Sequence, residues 1–193
     1  MKKLATLFTD SFHEFKQVRT ITTAAMFGAI SVILGYFTIA IGDYIKIGFS
    51  GISGQLVYYL FGPAVGAFFG GALDILKYLI KPTGAYFPPL TLVPMVAGVL
   101  YGCFFYKKPI SLRRVFAAEL TVSVVCNMVL TTACLSFLYG KGFLVLLPMR
   151  ALKNLIMWPV NSFLFYTIAK TLETSGIFRL LKTPVELRKA AKM

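Results

Sequence analysis

Residues 52–80 read "ISGQLVYYLFGPAVGAFFGGALDILKYLI", and this stretch decides how often the chain crosses a membrane. It holds about 29 residues, whereas one membrane-spanning helix needs about 20. Gly62 and Pro63 lie near its middle, where they either kink one long helix or turn the chain around. A turn gives the whole chain six crossings, and a kink gives it five.

The distribution of positive charge favours the turn, because Lys and Arg concentrate on the cytoplasmic side of membrane proteins. With six crossings and both termini inside, 14 of the 20 basic residues fall on that side, whereas five crossings leave ten on the wrong side. We therefore predict an all-α membrane protein with six transmembrane helices in a compact bundle and both termini cytoplasmic. The predicted helices are residues 20–41, 50–61, 63–81, 88–106, 112–138 and 146–172. The predicted outer loops are residues 42–49, 82–87 and 139–145.

The composition agrees with a membrane protein. Apolar residues make up 58% of the chain and charged residues 14%, whereas a soluble domain has about 25% charged residues. The net charge of +13 raises the possibility of nucleic-acid binding. The basic residues flank apolar runs instead of forming a stripe, so we interpret them as anchors on the lipid bilayer and expect no nucleic-acid partner.

The chain is predicted to form a single domain over residues 1–193. Residues 1–19 have apolar side chains at helical spacing between charged ones, which is typical of an amphipathic helix at the inner membrane surface. Residues 20–172 form the six-helix bundle, and residues 173–193 a basic cytoplasmic tail.

The sequence lacks the residues that several kinds of chemistry require. The chain has one histidine, His13, and three cysteines without a CxxC spacing, so we expect no metal site and no catalytic triad. It has no GxxxxGK[ST] motif, so it is not expected to hydrolyse ATP. We predict that the protein is not an enzyme and needs no cofactor.

Polar side chains recur in the outer halves of three predicted helices. An ionisable residue at membrane depth costs about 2.5–3.5 kcal/mol on insertion scales and marks a candidate functional site. Residues three or four positions apart share a helix face, and two cations near one helix start favour an anionic ligand. The predicted binding residues of this kind are Asp74, Lys77, Asn127, Arg150, Lys153 and Asn154.

Purely structural roles remain open for these residues. Asp74 could neutralise Lys77 one turn away, and Arg150 and Lys153 could extend to the outer headgroups. Aromatic side chains near the same level could stack on a ligand or belong to an interfacial belt. They are Tyr44, Tyr86, Phe87 and Trp158.

Small residues form two further patterns that permit close helix approach. Gly62, Gly66 and Gly70 recur every four residues and are predicted to pack within this chain. Ala25 and Ala29 form a similar pair in the first helix, which could pack internally or contact another subunit.

The chain resembles the substrate-binding S components of energy-coupling-factor (ECF) vitamin transporters, most closely their folate-specific branch. The resemblance covers about residues 15–180. It is carried by "IGDYIKIGFSGISGQLVYYLFGPAVGAFFGGALDILKYLIKPTG" (41–84) and "YGKGFLVLLPMRALKNLIMWP" (139–159). The second segment contains what looks like the branch's LPxRxxK signature at Leu147, Pro148, Arg150 and Lys153.

The resemblance implies a multi-pass protein of the bacterial plasma membrane that captures folate from outside. Its expected partners are a transmembrane scaffold (T) subunit and two ABC-type ATPases. Ala25 and Ala29 match the family's AxxxA motif for docking on the scaffold.

Folate chemistry matches the predicted residues. As a hypothesis, Asp74 binds the amino-pyrimidinone edge of the pterin ring, and Arg150 and Lys153 bind the glutamate carboxylates; the reverse polarity stays open. The alternatives are an S component for another vitamin or small organic anion, a membrane enzyme acting on lipid phosphates, and a stand-alone membrane transporter.

Overall fold

The computed structural model describes residues 2–36, 38–41, 45–48, 50–80, 87–139, 143–176 and 178. The helices are α1 (Lys2–Phe15), α2 (Val18–Tyr36), α3 (Ser50–Ile80), α4 (Pro88–Phe105), α5 (Leu112–Val122), α6 (Thr131–Tyr139) and α7 (Phe143–Thr174). A π-helical segment, Ser123–Leu130, joins α5 to α6. The strands are β1 (Thr38–Ile41) and β2 (Ile45–Gly48).

The predicted helical membrane class is confirmed. Within the ranges that the structure describes, four helices are long and apolar enough to cross a membrane. They are Val18–Tyr36, Ser50–Ile80, Pro88–Phe105 and Leu112–Leu138.

The segment after α2 differs from the prediction of a helix to residue 41 followed by a loop over 42–49. The helix ends at Tyr36, and two short strands follow. They pair antiparallel, with Thr38 opposite Gly48 and Ile41 opposite Ile45. Isoleucine fills two of the four positions in each strand, and Thr38 begins β1. Such branched side chains favour extended backbone over helix.

The turn predicted at Gly62 and Pro63 is present inside α3. Gly62 has φ 85° and ψ −169°, which is not helical. The rings of Tyr58 and Phe69, on either side of it, pack edge to face with centroids 6.2 Å apart. In one continuous helix, 11 positions would separate them by roughly 16 Å. The halves 50–61 and 63–80 therefore run back beside each other.

The α1 helix closes this turn through Ser11. The Ser11 hydroxyl donates to the carbonyl of Phe61 at 2.6 Å and accepts from the N–H groups of Ala64 and Val65 at 3.0 and 3.2 Å. Broken helices leave such backbone groups without intrahelical partners. A single side chain from a separate helix thus satisfies groups on both sides of the break.

The core lies where α3 packs against α4. The two backbones approach closely enough that a Cβ at Gly66 would lie 2.8 Å from the Gly98 carbonyl oxygen. The predicted internal packing of the glycine series is therefore confirmed. The largest fully buried apolar side chains around this contact include Val57, Leu60, Phe61, Val115 and Phe165.

Candidate functional site

The side chains of Asp74 and Thr91 meet near one end of the helix bundle. We call this end, where α3 finishes and α4 begins, the distal end; the opposite one is the Gly62 end. Thr91 is buried on α4, and its hydroxyl donates a 2.9 Å hydrogen bond to Asp74 Oδ2. Asp74 is half-buried on α3, so its carboxylate accepts this hydrogen bond and stays partly exposed.

 

Lys77 lies one turn beyond Asp74 on α3 and is also half-buried. Ion pairs in the described part of the chain join Asp10 to Lys107 and Lys170 to Glu173, and none joins Asp74 to Lys77. The two charges lie close enough to interact electrostatically without forming a direct ion pair.

The predicted residues of α7 that the structure describes differ in exposure. Lys153 is exposed beside Leu152, which is 62% exposed, whereas Asn154 is half-buried and Met157 is 8% exposed. The backbone of Arg150 lies in α7, and its side chain lies outside the described ones. Neither Lys153 nor Asn154 hydrogen-bonds Asp74.

Asn127 lies in the π-helical segment, with its side chain exposed. The Thr131 hydroxyl donates to the Cys126 carbonyl, five residues earlier, at 2.8 Å. A π-helical segment rotates the residues that follow it relative to an α-helix and often occurs at functional sites. No residue pattern in this segment indicates the change in register.

The four predicted aromatic residues have different surroundings. Phe87 precedes α4 and stacks on Phe137, with ring centroids 6.4 Å apart. Trp158 donates from Nε1 to the Phe116 carbonyl at 3.0 Å and packs edge to face on the Phe116 ring. Tyr44 and Tyr86 lie outside the described residues.

A second polar group, missed from the sequence, joins three helices nearer the Gly62 end. Glu119 accepts hydrogen bonds from Gln55 Nε2 at 2.6 Å and from the Tyr101 hydroxyl at 2.8 Å. All three side chains are buried. An acidic residue inside the apolar stretch 112–138 was the available signal, since such a residue needs partners at membrane depth.

The first helix of the bundle, α2, presents Ala25 and Ala29 outward. Both are exposed, while their neighbours Ala24 and Gly28 are buried against the rest of the chain. Ala25 also lines an apolar cavity of about 330 Å³ together with Phe15 and Phe68. Internal packing on this helix is therefore carried by Ala24 and Gly28, and Ala25 and Ala29 remain exposed.

Comparisons with known proteins agree with this architecture. Residues 19–169 match the family model of the ECF transporter, substrate-specific component. The chain is 34% identical over 151 residues to "Folate transporter FolT" of Clostridium novyi (strain NT), covering 78% of this chain and 88% of that protein. It is 26% identical over 149 residues to "Folate transporter FolT" of Leuconostoc mesenteroides subsp. mesenteroides, covering 74% and 80%.

Two solved structures are similar in fold. One is described as the crystal structure of FolT bound with folic acid; it has a TM-score of 0.72 and 29% identity, over 80% of this chain and 95% of that one. The other is the S component of a bacterial ECF transporter, with a TM-score of 0.52 and 22% identity, over 81% and 99%. The chain therefore belongs to the substrate-specific (S) components of ECF transporters and is a multi-pass protein of the plasma membrane.

Proposed function

We propose that this chain is the folate-binding S component of an ECF-type ABC importer. It captures folate outside the cell and delivers it to the cytoplasm together with a scaffold T subunit and two ATPases. The observation that carries this proposal is the likeness to a FolT structure bound with folic acid, which extends over most of both chains. In this chain the hydrogen-bonded side chains of Asp74 and Thr91 supply polar groups for binding such a ligand.

The proposed topology has six crossings with both termini cytoplasmic. The reversal at Gly62 supports separate crossings for 50–61 and 63–80. The ion pair between Asp10 and Lys107 keeps α1 at the Gly62 end, beside the basic connection between α4 and α5. The concentration of positive charge there is expected of the cytoplasmic side.

The α1 helix is proposed to lie on the inner membrane surface. Phe8, Phe12 and Phe15 are exposed on it, whereas Ser11 and Glu14 are buried against the bundle. Exposed aromatic residues next to basic ones suit the boundary between headgroups and acyl chains. Residues 20–172 then form the bundle, and 173–193 a basic cytoplasmic tail.

The proposed folate site lies at the distal end. Asp74 binds the amino-pyrimidinone edge of the pterin ring, while Arg150 and Lys153 bind the glutamate carboxylates through charge-assisted hydrogen bonds. Further contacts are assigned to Lys77, Asn127 and Asn154. The stacking surfaces are Phe87 with its partner Phe137, and Tyr44, Tyr86 and Trp158.

Ala25 and Ala29 are proposed to dock on the scaffold subunit. Their exposure on α2 supports this role, because small residues let a partner helix approach closely.

Two substitutions test the site. Asp74→Asn and Arg150→Ala should each weaken folate binding by more than about tenfold, because each removes a charged hydrogen bond to the ligand. Asp10→Asn and Arg114→Ala make the same chemical changes at the Gly62 end and should leave the affinity unchanged. Wild-type affinity in both site variants, measured by calorimetry on the purified chain, would contradict the proposed site.

A further inference from the structure

The hydrogen bond from Thr91 to Asp74 joins the two helices that pack most closely. The hydroxyl lies 2.9 Å from Asp74 Oδ2, and Thr91 is 8% exposed. Gly66 and Gly98 bring the backbones of α3 and α4 together below this pair. The distance between the two side chains is thus fixed by the surrounding packing.

An aspartate carboxylate keeps one orientation only when a neighbouring group, such as the Thr91 hydroxyl, hydrogen-bonds it. The terminal torsion of aspartate is broad, so the carboxylate rotates unless a neighbour holds it. A helical threonine has two favoured first torsions, and the burial of Thr91 in α4 restricts rotation between them. Asp74 is half-buried, so one side of the oriented group stays accessible.

The remaining acceptor capacity of Asp74 suits a ligand edge with two donors. An ionised carboxylate has about four lone-pair sites, and Thr91 occupies one of them on Oδ2. Both oxygens therefore retain an acceptor site. An amino-pyrimidinone ring offers two adjacent N–H donors, which match two oxygens only when the carboxylate lies in the plane of the ring.

We propose that Thr91 is a positioning residue that orients the Asp74 carboxylate toward the two N–H donors of the pterin ring. This inference rests on the proposed folate function. Thr91 acts through Asp74, so its contribution depends on the carboxylate and on the donors of the ligand.

The test is a double-mutant cycle with folate binding measured by calorimetry on the full chain. Thr91→Val keeps the shape and removes the hydroxyl, and should weaken binding roughly three- to tenfold. Thr91→Ser should restore affinity to within about twofold, since it keeps the hydroxyl. In the Asp74→Asn background, Thr91→Val should add less than about a twofold loss. A folate analogue with methyl in place of the 2-amino group should show a smaller loss for Thr91→Val.

The outcomes separate this inference from the function on which it rests. Unchanged affinity in Asp74→Asn would overturn the proposed site and this role together. A loss in Asp74→Asn with wild-type affinity in Thr91→Val would overturn only the role of Thr91. An equal loss in both backgrounds would mean a structural role and would also overturn it. If Thr91→Val does not fold, Thr91→Cys, with its weak donor, should give an intermediate loss, and wild-type affinity there would contradict the role.

Discussion

Tyr58 and Phe69 pack edge to face across Gly62, so one apolar stretch forms two antiparallel helices. The same Tyr58 hydroxyl would lie 3.3 Å from a Cβ added at Gly70. The reversal is therefore held by contacts along both halves of α3 as well as by the turn itself.

Gly62→Ala should destabilise the protein. Gly62 has φ 85°, and an added Cβ would lie 2.9 Å from Tyr106 Cγ and 3.0 Å from Ser11 Oγ. This combination of φ and ψ is essentially restricted to glycine and costs a residue with a side chain about 1–3 kcal/mol. We expect a lower melting temperature in detergent, while Gly51→Ala, at a position with no neighbour within 4 Å, should not lower it. Equal melting of the two variants would contradict this account of the turn.

Ser11→Ala should loosen the closure of the same turn. The substitution leaves the Phe61 carbonyl and the N–H groups of Ala64 and Val65 without the hydroxyl. A buried polar group without its partner costs about 1–3 kcal/mol. Thermal unfolding should show this loss, whereas Ser175→Ala, which removes an exposed local bond, should change little. A melting temperature for Ser11→Ala equal to wild type would argue against the closure.

Glu119→Ala should destabilise the bundle through its buried partners. Gln55 and Tyr101 both donate to this carboxylate. Without it the Tyr101 hydroxyl would lose its acceptor, and Gln55 Nε2 would keep only its 3.3 Å bond to that hydroxyl. The matched control is Glu173→Ala, because Glu173 forms an exposed pair with Lys170. Exposed pairs contribute about 0–1 kcal/mol. A comparable shift in melting temperature for the two variants would rule out a special role for Glu119.

Tryptophan at Ala25 and Ala29 should block assembly without affecting the ligand. Both positions face outward on α2, so the added rings would occupy the surface proposed for the scaffold. The measurements are co-purification with the T subunit and folate binding by the isolated chain. Ala117→Trp, at an exposed position on α5, is the control. Loss of folate binding in the double variant would instead place the pair in internal packing.

The sequence predicted the features that depend on local signals. Gly62-Pro63 and the charge distribution were enough to predict the reversal, and the glycine series to predict its packing. The strands β1 and β2 were missed because their isoleucines continue an apolar run that also fits a helix. The π-helical segment leaves no composition signal, and the closure by Ser11 depends on a contact between residues 50 positions apart.

The residues of the candidate site likewise include some that the sequence indicates and some that it does not. Asp74 and Lys77 could be found because charge is rare in an apolar stretch. Thr91 carries no such signal, since its role comes from packing against a carboxylate on another helix. Glu119 could have been found by the charge criterion, and its partners Gln55 and Tyr101 could not.

The central claim is that this chain alone binds folate. The most direct measurement is calorimetric titration of the purified chain, in detergent or nanodiscs, with folate, riboflavin, thiamine and biotin in turn. We predict saturable binding of one folate per chain and no binding of the other three vitamins. Absence of folate binding by the folded chain, or binding of another of these vitamins in its place, would contradict the account.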